Sequence, residues 1–288
     1  MKSIISKTIL LLDMIKFEHT IFALPFAYLG AFLAARGVPD VKVCFLILLG
    51  MAGARTAAMG FNRIVDMPFD AKNPRTQTRA LPAGKVKKAE AWAMVLISAF
   101  VYFFAAFKLN WLALILSPFV LSIILFYSYT KRFTPFCHVF LGLALGISPT
   151  AGWIAVKGEV SSIPIVLSFG VLFWVAGFDI LYACLDRDFD VKTGLHSIPA
   201  RFGIKNAFFI SAFFHGLAFF FFLTVGFMAS LNWIYYLGIV VTFLLFILQR
   251  LVVSPDNLSK MNMAFFTFNG AISMVLFLST AFSLAFPI

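Results

Sequence analysis

The sequence predicts an all-α membrane protein with nine transmembrane helices, its N-terminus cytoplasmic and its C-terminus outside. Three observations carry that expectation. Of 288 residues, 62% are hydrophobic and only 12% charged, about half the charged share (~25%) of soluble domains. Apolar stretches recur at lengths near those needed to cross about 30 Å of hydrocarbon. The Lys and Arg residues, finally, fall almost entirely in alternate connections.

The nine apolar spans lie at roughly 17–35, 43–61, 89–107, 111–129, 137–156, 163–182, 207–229, 232–250 and 263–285. The first follows Lys2, Lys7 and Lys16, a pattern shared with signal peptides. Glu18, His19 and Pro25 break the apolar run such a peptide needs, so a retained span is expected. With the N-terminus inside, eighteen Lys and Arg lie on the cytoplasmic side, and Arg36, Lys42, Lys108 and Lys157 lie outside. Positive residues concentrate on the cytoplasmic side of membrane proteins. The net charge of +11 is therefore read as a topology signal, and no nucleic-acid partner is expected.

One domain covers 1–288, with no linker or low-complexity region. The two longest connections, 62–88 and 183–206, follow the second and sixth spans. Both are cytoplasmic and both open on acids, a pattern that suggests a duplicated unit around a shared site. Cys44, Cys137 and Cys184 have no paired spacing and do not all share a side. They are expected to fill space in the helix bundle.

The chain has only twelve Asp and Glu, and six of them lie in two short segments. The first runs from Asn62 through Asp66 to Asp70. The second holds Asp179, Tyr182, Asp186, Asp188 and Asp190. On continuous helices Asn62, Asp66 and Asp70 would form one row, and Asp179, Tyr182, Asp186 and Asp190 another. Asp188 falls off that face and is expected in solvent. Rows of like charge repel; a hard cation with oxygen ligands, such as Mg²⁺, relieves the repulsion. Pro68 should end or kink the first helix near Asp66 and leave Asp70 on an irregular turn.

Cations stand beside the acids: Lys72, Arg75 and Arg79, then Lys131 and Arg132. Arg79 and Lys131 are expected to bind phosphate, whereas Lys85, Lys87 and Lys88 serve topology. Arg55 lies inside the second span on the face shared by Asn62 and Asp66. A charge there costs at least about 2.5 kcal/mol and points to function. It would either pair with an acid or receive an anionic group of a buried substrate. His196 is a cytoplasmic candidate base, while His138 and His215 are read as structural. The 38 Phe face lipid or pack between helices, and their rings can also stabilise a cation.

At these residues the chain resembles the UbiA family of intramembrane aromatic prenyltransferases. The resemblance covers most of the chain. It rests on Asn62-x3-Asp66-x3-Asp70, Arg79-Ala-Leu-Pro-Ala-Gly84, Tyr127-Ser-Tyr-Thr-Lys131-Arg132, the glycine-rich run 142–153, and Asp179-x2-Tyr182-x3-Asp186-x3-Asp190. It implies nine helices around a central cavity with a lateral opening to lipid. Asn62, Asp66, Asp70, Asp179, Asp186 and Asp190 would hold Mg²⁺ and diphosphate. Arg79, Lys131, Tyr127, Tyr182 and Asn62 would bind substrate, and Arg55 would meet the acceptor. Asp66, Asp186 and Arg55 would be the catalytic residues. Met67-Pro68 departs from the polar residue the family usually carries after the first Asp.

Lys16-Phe-Glu-His-Thr-Ile-Phe-Ala-Leu-Pro, Asn73-Pro-Arg-Thr and His196-Ser-Ile-Pro-Ala-Arg-Phe-Gly are similar to the 4-hydroxybenzoate polyprenyltransferase-like branch. That branch includes futalosine-route menaquinone enzymes. The resemblance implies polyprenyl diphosphate as donor and an aromatic carboxylate as acceptor, 4-hydroxybenzoate or 1,4-dihydroxy-6-naphthoate. The setting would be the inner membrane with the site toward the cytoplasm, and no protein partner is implied. The competing class is an ion-coupled transporter with cytoplasmic acidic sites. Transporter sites usually lie at the bilayer midplane, whereas these acids sit at helix ends.

Overall fold

The computed structural model describes residues 24–286 together with Leu10, Leu11 and Met14. Lys2, Lys7, Lys16, Glu18, His19 and the start of the first span lie outside the described residues. Ten helices follow in order: α1 (Leu24–Ala35), α2 (Val41–Asp70), α3 (Lys88–Leu109), α4 (Trp111–Thr130), α5 (Cys137–Lys157), α6 (Ser162–Ala183), the short α7 (Arg187–Thr193), α8 (Ile198–Met228), α9 (Trp233–Val252) and α10 (Met261–Ala285). A five-residue π segment, Ala264–Phe268, interrupts α10.

Eight helical stretches are long and apolar enough to cross a membrane, α6 being counted together with α7; α1 is apolar but shorter among the described residues. The fold is an all-helical membrane bundle. Eight of the nine apolar spans read from the sequence coincide with these long helices, and the described part of the first is the apolar helix α1.

The chain's capping residues mark where several helices begin. Asp40 accepts from the Lys42 amide at 2.8 Å to open α2, and Asn110 accepts from the Ala113 amide at 2.9 Å to open α4. Such caps satisfy amide donors that the first helical turn leaves unpaired. Asn110 also donates to the Ile154 carbonyl at 2.7 Å, which ties the α3–α4 turn to the C-terminal end of α5.

Two expectations about helix ends need correction. Pro68 does not stop α2, which continues to Asp70. A proline deprives the carbonyl four residues back of its partner. Here α2 ends two residues later, so little of the helical ladder lies beyond the break. The connections are also shorter than the sequence suggested, because α2 absorbs 62–70, and α7 and the start of α8 absorb much of 183–206.

Packing concentrates in two larger bodies, which a smaller cluster of Ala27, Ala31, Ile47 and Ala155 joins through α1, α2 and α5. One buried cluster draws on α1, α5, α6, α8, α9 and α10, with Trp174, Phe26, Phe222 and Tyr235 at its centre. Another joins α2, α3, α4 and residues 80–86. Hydrophobic burial cannot drive helices together inside lipid, so close packing of small residues takes over. α1 lies so near α5 that a Cβ on Gly152 would overlap the Ala27 carbonyl, and one on Gly30 the Pro149 carbonyl. Gly152→Ala should therefore cost about 3 kcal/mol, at the upper end for overpacking, because the obstructing atoms are backbone. Gly216→Ala, where nothing lies within 4 Å, should be neutral or slightly stabilising. Thermal melting of the two variants in detergent checks this pair.

Candidate active site

Between the two bodies lies a cavity of about 530 Å³, lined by α2, α4, α5 and α6. Along α2 the lining runs from Leu46 and Ile47 near one end to Asp66 and Asp70 at the other. The cavity therefore extends through most of the depth of the bundle. Its lower part is apolar, and its mouth carries the charges.

Of the candidate site residues read from the sequence, all but His196 line this one cavity: Arg55, Asn62, Asp66, Asp70, Arg79, Tyr127, Lys131, Asp179, Tyr182, Asp186 and Asp190. The first row forms as expected, and Asn62 Nδ2 donates to Asp66 Oδ2 at 2.8 Å. Because α2 continues past Pro68, Asp70 stays in register, buried to 7% exposure. It accepts from Arg79 at 2.8 Å.

The second row is not one helix. A 3₁₀ turn, Cys184–Asp186, separates α6 from α7. The tighter 3₁₀ turn rotates the chain between Tyr182 and Asp190, yet all four side chains still face the cavity. Asp188 points away and pairs with Arg187 at 79% exposure, in keeping with its expected place in solvent.

The acids are held mainly by cations. Asp186 accepts from Arg75 in a bidentate pair, Nε at 2.9 Å and Nη2, and from Asn73 Nδ2 at 3.1 Å. Arg75 also reaches the Tyr182 hydroxyl at 3.4 Å. The Tyr182 ring lies 4.4 Å from the Phe265 ring, which the π segment of α10 presents. Lys131 pairs with the fully buried Asp190 at 2.8 Å, and Ser197 Oγ donates to the other oxygen of that carboxylate at 2.9 Å. Asp179 accepts from His138 Nδ1 at 2.7 Å. Burial works against charge on Lys131, but Asp190 outweighs it and the pKa of Lys131 is raised. For Arg75 burial is likewise outweighed by Asp186, and its pKa is raised too. Both groups stay cationic at neutral pH.

Three residues of this site escaped the reading by sequence. Arg75 stood among the noted cations but was not singled out; its spacing from the second acidic segment, over a hundred residues, hid the pairing. Asn73 gave no charge signal at all. His138 was read as structural, and its contact with an acid of the site was not foreseen. His196 does not line the cavity, and its side chain is exposed. Its backbone amide donates to the Lys131 carbonyl at 2.7 Å.

The sequence and the fold that carry this site have counterparts. The profile of the UbiA prenyltransferase family matches residues 23–278. The chain belongs to the UbiA prenyltransferase family. It is 30% identical over 250 residues to 4-hydroxybenzoate octaprenyltransferase of Escherichia fergusonii, covering 87% of this chain and 86% of that one. It is also 30% identical over 224 residues to the enzyme of that name from Alkalilimnicola ehrlichii, covering 78% and 76%. Among solved structures, the apo UbiA homolog from Aeropyrum pernix K1 superposes with a TM-score of 0.83 at 37% identity, covering 91% and 96% of the two chains. A UbiA homolog from Archaeoglobus fulgidus bound to GPP and Mg²⁺ shares the fold, with a TM-score of 0.69 at 21% identity over 96% of this chain and all of the other (100%). The chain is thus a UbiA-family prenyltransferase, and the transporter reading finds no support.

Proposed function

We propose that this UbiA-family chain transfers a polyprenyl group from polyprenyl diphosphate to the ring of an aromatic carboxylate, with Mg²⁺, in quinone biosynthesis. The observation that carries the reading is the convergence of both acidic segments and three cations on the mouth of one apolar cavity. The curated relatives bear the name 4-hydroxybenzoate octaprenyltransferase, which makes 4-hydroxybenzoate the first acceptor to test. 1,4-Dihydroxy-6-naphthoate, also a phenolic carboxylate, is the second. The reading takes 1–288 as a single domain with nine crossings, N-terminus cytoplasmic and C-terminus outside, in the inner membrane. Its partners are the two substrates and the bilayer.

The donor set at the mouth fits a hard divalent cation, because Asn62, Asp66, Asp70, Asp179, Asp186 and Asp190 offer only oxygen ligands and amide nitrogen. Among the described residues no three His, Cys, Asp or Glu stand close enough to hold a metal ion. Their carboxylates are engaged instead by Arg75, Arg79, Lys131 and His138. Arg75, Arg79 and Lys131 are residues suited to phosphate. When diphosphate enters, these cations turn to its oxygens and release the carboxylates. Bound Mg²⁺ would neutralise the diphosphate and favour its departure as a leaving group.

The other steps belong to the chain. Arg75, Arg79 and Lys131 bear on the charge that grows on the departing oxygens, and Tyr127 and Tyr182 flank the reacting end. The apolar cavity keeps water from the allylic cation. Arg55, about 16 Å along α2 from Asp66, holds the acceptor carboxylate so that a ring carbon faces the cation. The ring carbon attacks, forming the new C–C bond, and the ring then gives up its proton to the departed diphosphate or to an Asp of the site.

Purified protein in detergent, given a polyprenyl diphosphate and either acceptor, should form product only with Mg²⁺. Product without added metal and in the presence of a chelator would remove the metal role. No product from either acceptor, with donor still bound, would remove the acceptor assignment.

A further inference from the structure

We infer that His138 is a positioning residue that sets the Asp179 carboxylate, and that the start of α8 fixes the tautomer with which it does so. His138 is the second residue of α5 and is 2% exposed. Its ring is held on both nitrogens. The Ile198 amide donates to Nε2 at 3.3 Å. An N–H directed at Nε2 requires a lone pair there, so the ring proton resides on Nδ1. Nδ1 lies 2.7 Å from Asp179 Oδ2 and donates to it. His138 thus carries the orienting effect of a main-chain amide to an acid of the site.

The same segment holds a second acid directly. Ser197, the N-cap of α8, donates to Asp190 Oδ2 at 2.9 Å while accepting from the Ala200 amide at 3.3 Å. One residue earlier, the His196 amide donates to the carbonyl of Lys131, whose ammonium pairs with Asp190. Residues 196–198 therefore anchor Asp190 and Lys131, and reach Asp179 only through the imidazole. Asp179 has no other recorded hydrogen-bond partner among the described residues. Partners that orient a ligand contribute strongly to metal affinity, and losing one typically weakens it about tenfold to hundredfold.

The inference rests on the reading of Asp179 as a ligand to Mg²⁺ with diphosphate. The two side-chain amides divide the functions of the imidazole. Asn places an N–H donor where Nδ1 was, so His138→Asn keeps the bond to Asp179. Gln places its polar atoms near Nε2, so His138→Gln keeps the bond from Ile198 and loses Asp179. Mn²⁺ binding would be followed by electron paramagnetic resonance on the full chain in detergent, with geranyl diphosphate present, beside melting temperature. His138→Gln and His138→Ala should weaken Mn²⁺ binding about tenfold or more, and His138→Asn should stay within about threefold of the unaltered chain.

Equal weakening in all three variants, tracking their melting temperatures, would show a purely structural histidine and overturn the inference. So would unchanged Mn²⁺ binding in His138→Ala. Asp66→Ala separates the two levels of the argument. If that substitution leaves Mn²⁺ binding intact, the metal reading itself falls. If it abolishes binding while His138→Ala does not, only the role of His138 falls.

Discussion

Asp186→Ala should lower kcat/KM for prenyl transfer by two to three orders of magnitude, roughly 3–4 kcal/mol of transition-state stabilisation. Asp186 sits on the 3₁₀ turn between α6 and α7 and accepts from both Arg75 and Asn73. Its loss removes a ligand oxygen and also frees Arg75 from the geometry that aims it at the mouth. Asp66→Ala should match it in size. The two differ in a way steady-state assays can read. Asp66 takes only a neutral amide from Asn62 among its recorded partners, so its variant should respond to raised Mg²⁺ more than Asp186→Ala does. Activity within a few-fold of the unaltered chain in either variant would remove that carboxylate from the reaction.

Arg55→Ala should raise KM for the carboxylate acceptor by about tenfold to a hundredfold, the worth of a hydrogen bond to a charged group (~1.5–3 kcal/mol). The KM of the diphosphate should stay nearly constant, because Arg55 lies about three turns of α2 below Asp66. An acceptor with the carboxylate replaced by a neutral amide should be used equally by both proteins. Equal losses for acid and amide would show that Arg55 acts on the cavity wall rather than on the carboxylate. Arg55→Lys should recover part of the affinity, since it keeps the charge and loses the planar fork.

The helices and the charged mouth were legible in the sequence because lipid leaves little freedom. Nine apolar runs could be counted, and twelve acids in 288 residues made two clusters conspicuous. What was not legible depends on contacts between distant elements. The break at Cys184–Asp186 has no glycine or proline to announce it, and a spacing of three and four residues reads as continuous helix. Pro68 announced an end that does not come, because a proline removes one helical hydrogen bond, here the one to the Ile64 carbonyl, and the turn around it can persist. The pairing of Arg75 with Asp186, and of His138 with Asp179, required knowing that the connection after α2 meets the 3₁₀ turn at 184–186 and that α5 faces α6.

The close approach of α1 to α5 has a consequence for how the chain is made. Sequential elements usually become neighbours, yet the apposed pairs here are Gly30 with Pro149 and Ala27 with Gly152. The first of these helices to be synthesised meets its main partner well over a hundred residues later. α2, α3 and α4 can assemble their own cluster meanwhile, with Asp66 and Asp70 already on its rim. The arrival of α5 and α6 gives α1 its largest partner, closes the far wall, and brings Asp179 and Asp186 opposite the first acids. Docking of α1 and closure of the chamber's far wall therefore fall at one stage of membrane assembly, and α8, α9 and α10 pack against both afterwards.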